Sequence, residues 1–199
     1  MPYERDVQAF SERAARYESG PLGQLHRDIA DRAVRHALAV APAPERVLDV
    51  GSGTGYALRQ LAAARPGARE LTGVDPAPGM VRVAREASDD GRLRFAQGTA
   101  EHLPLPAASV DLVLSTTSFD HWADQRAGLA ECARVLAPGG HLVLSDLFSA
   151  WLWPTLRGSR RGKARTTGRA TRLITEAGLH SPQWHRLYGP ILRTVTATR

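Results

Sequence analysis

The stretch Val47-Leu48-Asp49-Val50-Gly51-Ser52-Gly53-Thr54-Gly55 constrains this chain more than any other. An apolar β-type run meets an acid and breaks into alternating glycines. A helical pattern follows at once, at Tyr56-Ala57-Leu58-Arg59-Gln60-Leu61. The spacing predicts a strand, a tight turn and a helix N-terminus, the arrangement by which an open parallel sheet presents a ligand site. Glycine suits such a turn because the backbone takes positive φ and a ligand must approach it closely. The helix N-terminus adds unpaired N–H groups and partial positive charge, suited to a carboxylate or a phosphate.

Several nucleotide cofactors use glycine turns, and three details narrow the choice. The spacing is G-x-G-x-G, and Tyr56 stands where a dinucleotide turn wants its third small residue. No G-x-x-x-x-G-K-[ST] run exists and Lys163 is the only lysine, so a P-loop is excluded. Leu71-Thr72-Gly73-Val74-Asp75 reads as a second strand ending in a carboxylate. It lies about 20 residues downstream, the distance at which an acid reaches ribose hydroxyls.

Beyond the turn, strand and helix patterns alternate, which predicts an α/β doubly wound sheet with helices on both faces. Expected strands are 46–50, 70–75, 93–97, 110–115 and 141–146, and expected helices 55–64, 79–87, 125–136 and 167–177. Ala137-Pro138-Gly139-Gly140 reads as a tight helix-to-strand turn, and Gly178 as a helix C-cap. Residues 183–187 and 191–197 alternate as two more strands. Residues 4–40 carry two helical patterns, Val7, Phe10, Ala14 and Tyr17, then Leu25, Ile29, Ala33 and Ala37, separated by Gly20-Pro21. At 199 residues one domain, 1–199, is expected.

The ordered motifs resemble the class I S-adenosylmethionine (SAM)-dependent methyltransferases, in their small-molecule branch related to ubiquinone-biosynthesis methyltransferases. They are Val47 to Gly55, Gly73 to Met80, Gly98-Thr99-Ala100-Glu101-His102-Leu103-Pro104, Asp111 to Ser115, and Arg134 to Gly140. The resemblance implies a Rossmann-like sheet of about seven strands, mostly parallel, with an antiparallel C-terminal hairpin. It implies SAM as cofactor, S-adenosylhomocysteine as product, and O-, N- or C-methylation of a small organic acceptor in bacterial secondary or quinone-like metabolism. Asp49, Gly51, Ser52, Gly53 and Gly55 would hold the methionine end. Asp75, with Pro76 beside it, would take the ribose hydroxyls. Met80 would pack on adenine, and Thr99, Ala100 and Glu101 would read its edge. Ser115 would contact the methionine amino group. Residues 1–40 would form a helical cap in which Tyr17 either closes on the cofactor or docks its helix.

Methyl transfer is an in-line displacement that needs positioning, exclusion of water and, for hydroxyl or ammonium acceptors, a base. Phe119-Asp120-His121-Trp122 follows the fourth strand and sits where a base belongs. His121 is the candidate because an unperturbed imidazole titrates near neutrality. Asp120, where many relatives carry a second histidine, either orients it or acts alone. No cluster has metal-ligand spacing, so no metal is expected.

The formal charge of +6 gathers between Arg157 and Arg172, in a stretch with no acid from Asp146 to Glu176. Residues 147–168 read as a lid-like basic insertion, with Trp151, Leu152, Trp153 and Leu156 as its amphipathic part. Without interleaved aromatics it makes a poor base-stacking platform, so nucleic acid is not an expected partner. RNA or protein methylation through this segment stands as one alternative, and a SAM-binding regulator or scaffold without transfer as another. Cys132, the single cysteine, excludes an internal disulfide. No run spans a bilayer and residues 1–6 lack a signal pattern. A cytoplasmic monomer or homodimer is expected.

Overall fold

A computed structural model describes residues 2–148, 166–189 and 191–199. Its helices are α1 (Pro2–Arg13), α2 (Gly20–Val40), α3 (Tyr56–Ala64), α4 (Pro78–Glu86), α5 (Gln125–Val135) and α6 (Thr167–Glu176). Its strands are β1 (Arg46–Val50), β2 (Glu70–Asp75), β3 (Leu93–Gln97), β4 (Val110–Thr116), β5 (Leu136–Leu147), β6 (His180–Tyr188) and β7 (Leu192–Thr198). The tryptophan-rich and most of the basic part of the expected insertion lies outside the described residues.

The strands form one sheet in the order β3-β2-β1-β4-β5-β7-β6. The first five are parallel, and β7 runs antiparallel to both β5 and β6. This is the doubly wound sheet that the sequence predicts, with the C-terminal hairpin that the resemblance implies. Strand order reverses between β1 and β4, and open α/β sheets bind ligands in the crevice at such a switch point.

Local chemistry explains the helix boundaries. Gly55 at φ +79° precedes α3, and Pro78 opens α4 with a ring preset for a first helical turn. The Asp124 carboxylate caps α5 by accepting the N–H groups of Arg126 and Ala127. Gly178 at φ +82° ends α6. One expectation differs. Residues 137–140 belong to β5, not to a turn between helix and strand, although Gly139 keeps φ +77°. The N–H of Gly139 donates to the carbonyl of Arg199, and the N–H of Arg199 donates to Gly140, so cross-sheet pairing carries the strand through the Pro-Gly-Gly stretch.

Two apolar layers flank the sheet. Leu48, Val50, Val113, Leu142 and Leu144 of the strands pack against Leu129 of α5 and Ala170 and Ile174 of α6. Val47, Leu71, Leu112 and Val143 pack against Ala33 and Ala37 of α2 and Leu58 and Leu61 of α3. A third, smaller cluster of Ala14, Ala77 and Met80, joined by Val7, Phe10 and Tyr17, seats the N-terminal helices on α4. There the Gly79 N–H donates to the Ser11 hydroxyl at 2.8 Å. A Cβ on Gly79 would strike the Ser11 backbone, so glycine is what lets α1 approach. This contact carries α1 across the carboxyl edge of the sheet.

Candidate active site

The glycine turn leaves β1 at the switch point. Gly51 and Gly53 adopt φ +74° and +53°, which side-chain-bearing residues avoid. Space distinguishes the three glycines. A Cβ on Gly51 would collide with the Ser118 side chain, one on Gly53 would meet nothing within 4 Å, and one on Gly55 would press on the Phe95 ring at 2.6 Å. Gly53 therefore borders open space, whereas Gly55 serves packing. The Ser118 hydroxyl donates to the Val50 carbonyl at 2.8 Å and so ties the ends of β1 and β4 together.

Asp75 ends β2, and its buried carboxylate organises the turn. Oδ2 accepts the Gly53 N–H and Oδ1 the Ala77 N–H, both at 2.9 Å. Burial raises its pKa, and these two donors oppose the rise. Burial and the neighbouring Asp75 charge push Asp49 up to about 7. Asp49 Oδ1 and Ser52 Oγ are buried without a hydrogen-bond partner in the structure. Buried orphan acceptors are costly, and a bound ammonium or hydroxyl would satisfy them.

One cavity runs from Gly51, Gly53 and Asp75 past Pro76, Ala77 and Met80 to Gly98, Ala100 and Glu101. Val7 and Phe10 of α1 roof it, with Tyr3 and Asp6 at its edge. Burial first, then the Glu101 and Asp75 charges, push the Tyr3 phenol up to about 12, so it stays a hydrogen-bond donor. A second cavity continues past Asp49, Gly51 and Ser52 to Arg27, Tyr56 and Thr116. Here Glu18 joins the start of α2 to α3, accepting from the Thr54 hydroxyl at 2.5 Å and from Arg59 at 2.9 Å.

The 98–105 loop is held from behind. Glu131 accepts the Leu103 N–H, and Arg134 donates to the carbonyls of Leu103 and Leu105. Glu101 lines the cavity while its Oε1 accepts the Asp124 N–H at 2.9 Å.

The expected cofactor residues fall into two groups. Asp49, Gly51, Ser52, Gly53, Asp75, Pro76, Met80, Ala100, Glu101 and Tyr17 line the two cavities. Gly55, Thr99 and Ser115 stand behind the walls. Ser115 is fully buried with its hydroxyl 2.9 Å from that of Ser118, and Thr116, Thr117 and Ser118 form the wall in its place. β4 runs one residue further than its expected end, and alternation along it puts Ser115 on the same buried face as Val113. Thr99 pairs with His102 across the loop.

Beside these cavities opens a cleft of about 540 Å³ between the N-terminal helices and the β5–β7 edge. Asp120 and His121, the expected catalytic pair, lie in its wall on a 3-10 turn after β4. His121 also lines the cofactor-side cavity, with Nδ1 3.6 Å from Asp6 and its ring edge-on to Phe10 at 5.0 Å. The Asp120 N–H donates to Asp146 Oδ2 at 3.1 Å. Asp146, fully buried on β5, is pushed up to about 6 by burial, against the pull of its backbone donors.

Tyr17 and Thr117 are the two residues shared by all three openings. Thr117 has φ +54°, an outlier for a β-branched residue, and its N–H is fixed to the Ser145 carbonyl at 2.7 Å. Tyr17 stacks on His26 at 4.8 Å. The sequence reading missed Tyr3, Asp6, Phe10, His26, Thr117 and Asp146. Of these, Tyr3 and Phe10 had a usable signal, since they join Val7 and Ala14 on one helical face.

Known proteins point the same way. Residues 48–144 match the methyltransferase domain family. The chain is 39% identical over 140 residues to the demethylmenaquinone methyltransferase of Thermus thermophilus, covering 69% of this chain and 63% of that protein. It is 35% identical over 147 residues to the malonyl-[acyl-carrier protein] O-methyltransferase of Hahella chejuensis, covering 74% and 51%. The chain thus spans about half to two-thirds of the length of these curated relatives. In fold it is similar to a chain of the complex between the Haloferax volcanii Trm112 methyltransferase activator and a methyltransferase. That match has TM-score 0.78 and 24% identity, covering 95% of this chain and 96% of that one. A glycine turn at the switch point, a buried acid with unmet hydrogen-bonding capacity and these matches lead to one assignment: the chain belongs to the class I S-adenosylmethionine-dependent methyltransferases.

Proposed function

We propose that this chain transfers a methyl group from SAM to a small organic acceptor held in the cleft between the N-terminal helices and the β5–β7 edge. The meeting of cofactor cavities and cleft at Tyr17 and Thr117 carries this reading, because the methyl carbon must face both ligands. Asp49, Gly51, Ser52 and Gly53 hold the methionine end, where Asp49 Oδ1 accepts from the ammonium. Asp75 takes the ribose hydroxyls beside Pro76. Met80, Ala100 and Glu101 contact adenine. Gly55, Thr99 and Ser115 support these walls from behind. Helices α1 and α2 act as a cap of the single domain, excluding water from the reacting atoms.

Bound there, SAM supplies a methyl carbon on a positively charged sulfur, a leaving group that needs no acid. The protein's part is to align the acceptor and receive its proton. His121, at the wall shared by cavity and cleft, receives that proton from a hydroxyl or amine, with Asp120 beside it. Acceptors from bacterial secondary or quinone-like metabolism fit this reading. Cys132 is a buried free thiol, in keeping with a reducing cytoplasm. No helix among the described residues is long and apolar enough to cross a membrane.

The test incubates the protein with labelled SAM and a panel of hydroxyl, amine and activated-carbon acceptors. Methylated product and S-adenosylhomocysteine appearing together, only with acceptor present, support the proposal. Failure to bind S-adenosylhomocysteine in a calorimetric titration would overturn it.

A further inference from the structure

Among the described residues, the exposed large hydrophobic side chains are Leu22 at 64%, Leu25 at 38%, Leu147 at 42% and Tyr188 at 38%. All four line the cleft that adjoins the cofactor cavities. A single exposed leucine is ordinary on a protein surface, but convergence of all of them on one opening marks a binding face. They come from three places in the chain. Leu22 and Leu25 share a face of α2, Leu147 ends β5 and Tyr188 ends β6. Ile29, Ile191 and Leu192 continue the apolar wall.

Charged groups keep to two borders of the cleft. Asp120, His121 and Asp146 stand on the β4–β5 side, and Arg13 and Arg16 on the α1 side, where the Arg13 guanidinium lies 4.0 Å over the Phe10 ring. Phe10, Tyr17, Thr117 and His121 line both the cleft and the cofactor-side cavity, whereas Leu22, Leu25, Leu147 and Tyr188 line the cleft and neither cofactor cavity.

We infer that the acceptor is an amphipathic molecule, with its nucleophilic hydroxyl or amine at one end and an extended apolar body, alkyl or fused-ring, lying along Leu22, Leu25, Leu147 and Tyr188. This rests on the reading of the cleft as the acceptor site. A cleft of about 540 Å³ falls within the range for small-molecule sites. Its apolar walls offer little to a phosphate backbone, which binds through lysine and arginine.

A series of 4-alkylphenols, from methyl to decyl, tests the inference by calorimetric titration with S-adenosylhomocysteine saturating. Affinity is expected to rise about three- to fourfold per added methylene until the chain outgrows the cleft. In the Leu22→Gln/Leu25→Gln variant that dependence flattens for the long members, and Tyr188→Ser flattens it from the opposite wall. Circular dichroism and thermal unfolding report that each variant is folded. Affinity independent of chain length overturns the inference, as does a dimer in sedimentation that the double variant dissolves, since a second copy would then cover the leucines. The cofactor titration separates the two readings. No binding of S-adenosylhomocysteine sinks methyl transfer itself, whereas normal binding with no chain-length dependence sinks only the amphipathic acceptor.

Discussion

The cofactor cavities and the acceptor cleft open on the same edge of one sheet, yet they are made in opposite ways. Beneath its α1 roof the cofactor side draws on short contiguous segments, 49–53, 75–80 and 98–101, whose backbone does much of the work. Asp49 and Asp75 are buried, and Asp75 fixes the turn by accepting the N–H groups of Gly53 and Ala77. The acceptor side is assembled from side chains on α1, α2, the turn after β4, β5, β6 and β7, and it is open and apolar. A site that must recognise one fixed molecule can be written into local turns. A site for a variable partner can change one side chain at a time on elements already held by the core.

The largest effect that would sharpen this contrast is expected at Asp75. Asp75→Ala removes a charged acceptor from two backbone donors and from the ribose, and should weaken S-adenosylhomocysteine binding by about 100-fold in calorimetry. Affinity like that of the wild type would break the ribose assignment. Next come the proposed proton acceptors. His121→Ala should lower turnover with a hydroxyl or amine acceptor by about 100-fold, and Asp120→Ala by less, while cofactor affinity changes little. Unchanged turnover in both variants would remove them from the chemistry.

A pH effect separates the two sites further. The Asp49 pKa of about 7 lies above the value of about 4 for an unfolded carboxyl. The folded protein thus holds this proton more tightly, so ligand-free stability is highest below about pH 4 on this account and declines as pH rises toward 7. A bound ammonium favours the ionised carboxylate. Cofactor affinity should therefore rise by up to about tenfold per pH unit between roughly pH 5 and 7, with a proton released on binding. Asp49→Asn should abolish both the slope and the proton release, measured by calorimetry in buffers of different ionisation enthalpy. The acceptor cleft should show no such coupling through Asp49.

Smaller effects test the glycines and the leucines. Gly53→Ala should cost about 1–2 kcal/mol for its positive φ and weaken the cofactor. Gly55→Ala should cost more in denaturant unfolding, because Phe95 blocks its Cβ. Leu22→Gln should change stability by less than about 0.5 kcal/mol, because the side chain is already in water. A Leu22 variant that unfolds the protein would show that the cleft wall is core, and the comparison would fail.

Much of this was legible in the chain, for reasons that differ by residue. β1, β2 and β3 match their sequence expectation residue for residue; β1 and β2 are buried parallel strands, and β3, at the sheet edge, is bracketed by Gly91 and Gly98. The Arg134–Gly140 motif was visible as a pattern, but its work was not. Arg134 serves to clamp the 98–105 loop, and residues 137–140 pair with the C-terminus as strand. Ser115 shows the limit in the site itself, since it is buried behind the wall and Thr116, Thr117 and Ser118 line the cavity.

The sequence by itself determined the spans of most strands and helices and the cofactor turn, because each depends on residues within a few positions of one another and on the φ, burial and hydrogen bonding they require, whereas the β1–β4 switch point is a pairing across more than 60 residues. Only the tertiary structure decided where α1 and α2 lie, that Tyr17 and Thr117 mark the meeting point, and that Leu22, Leu25, Leu147 and Tyr188 face one opening. Those four meet at one opening only by convergence of three distant elements, and convergence is a property of packing that no local spacing encodes.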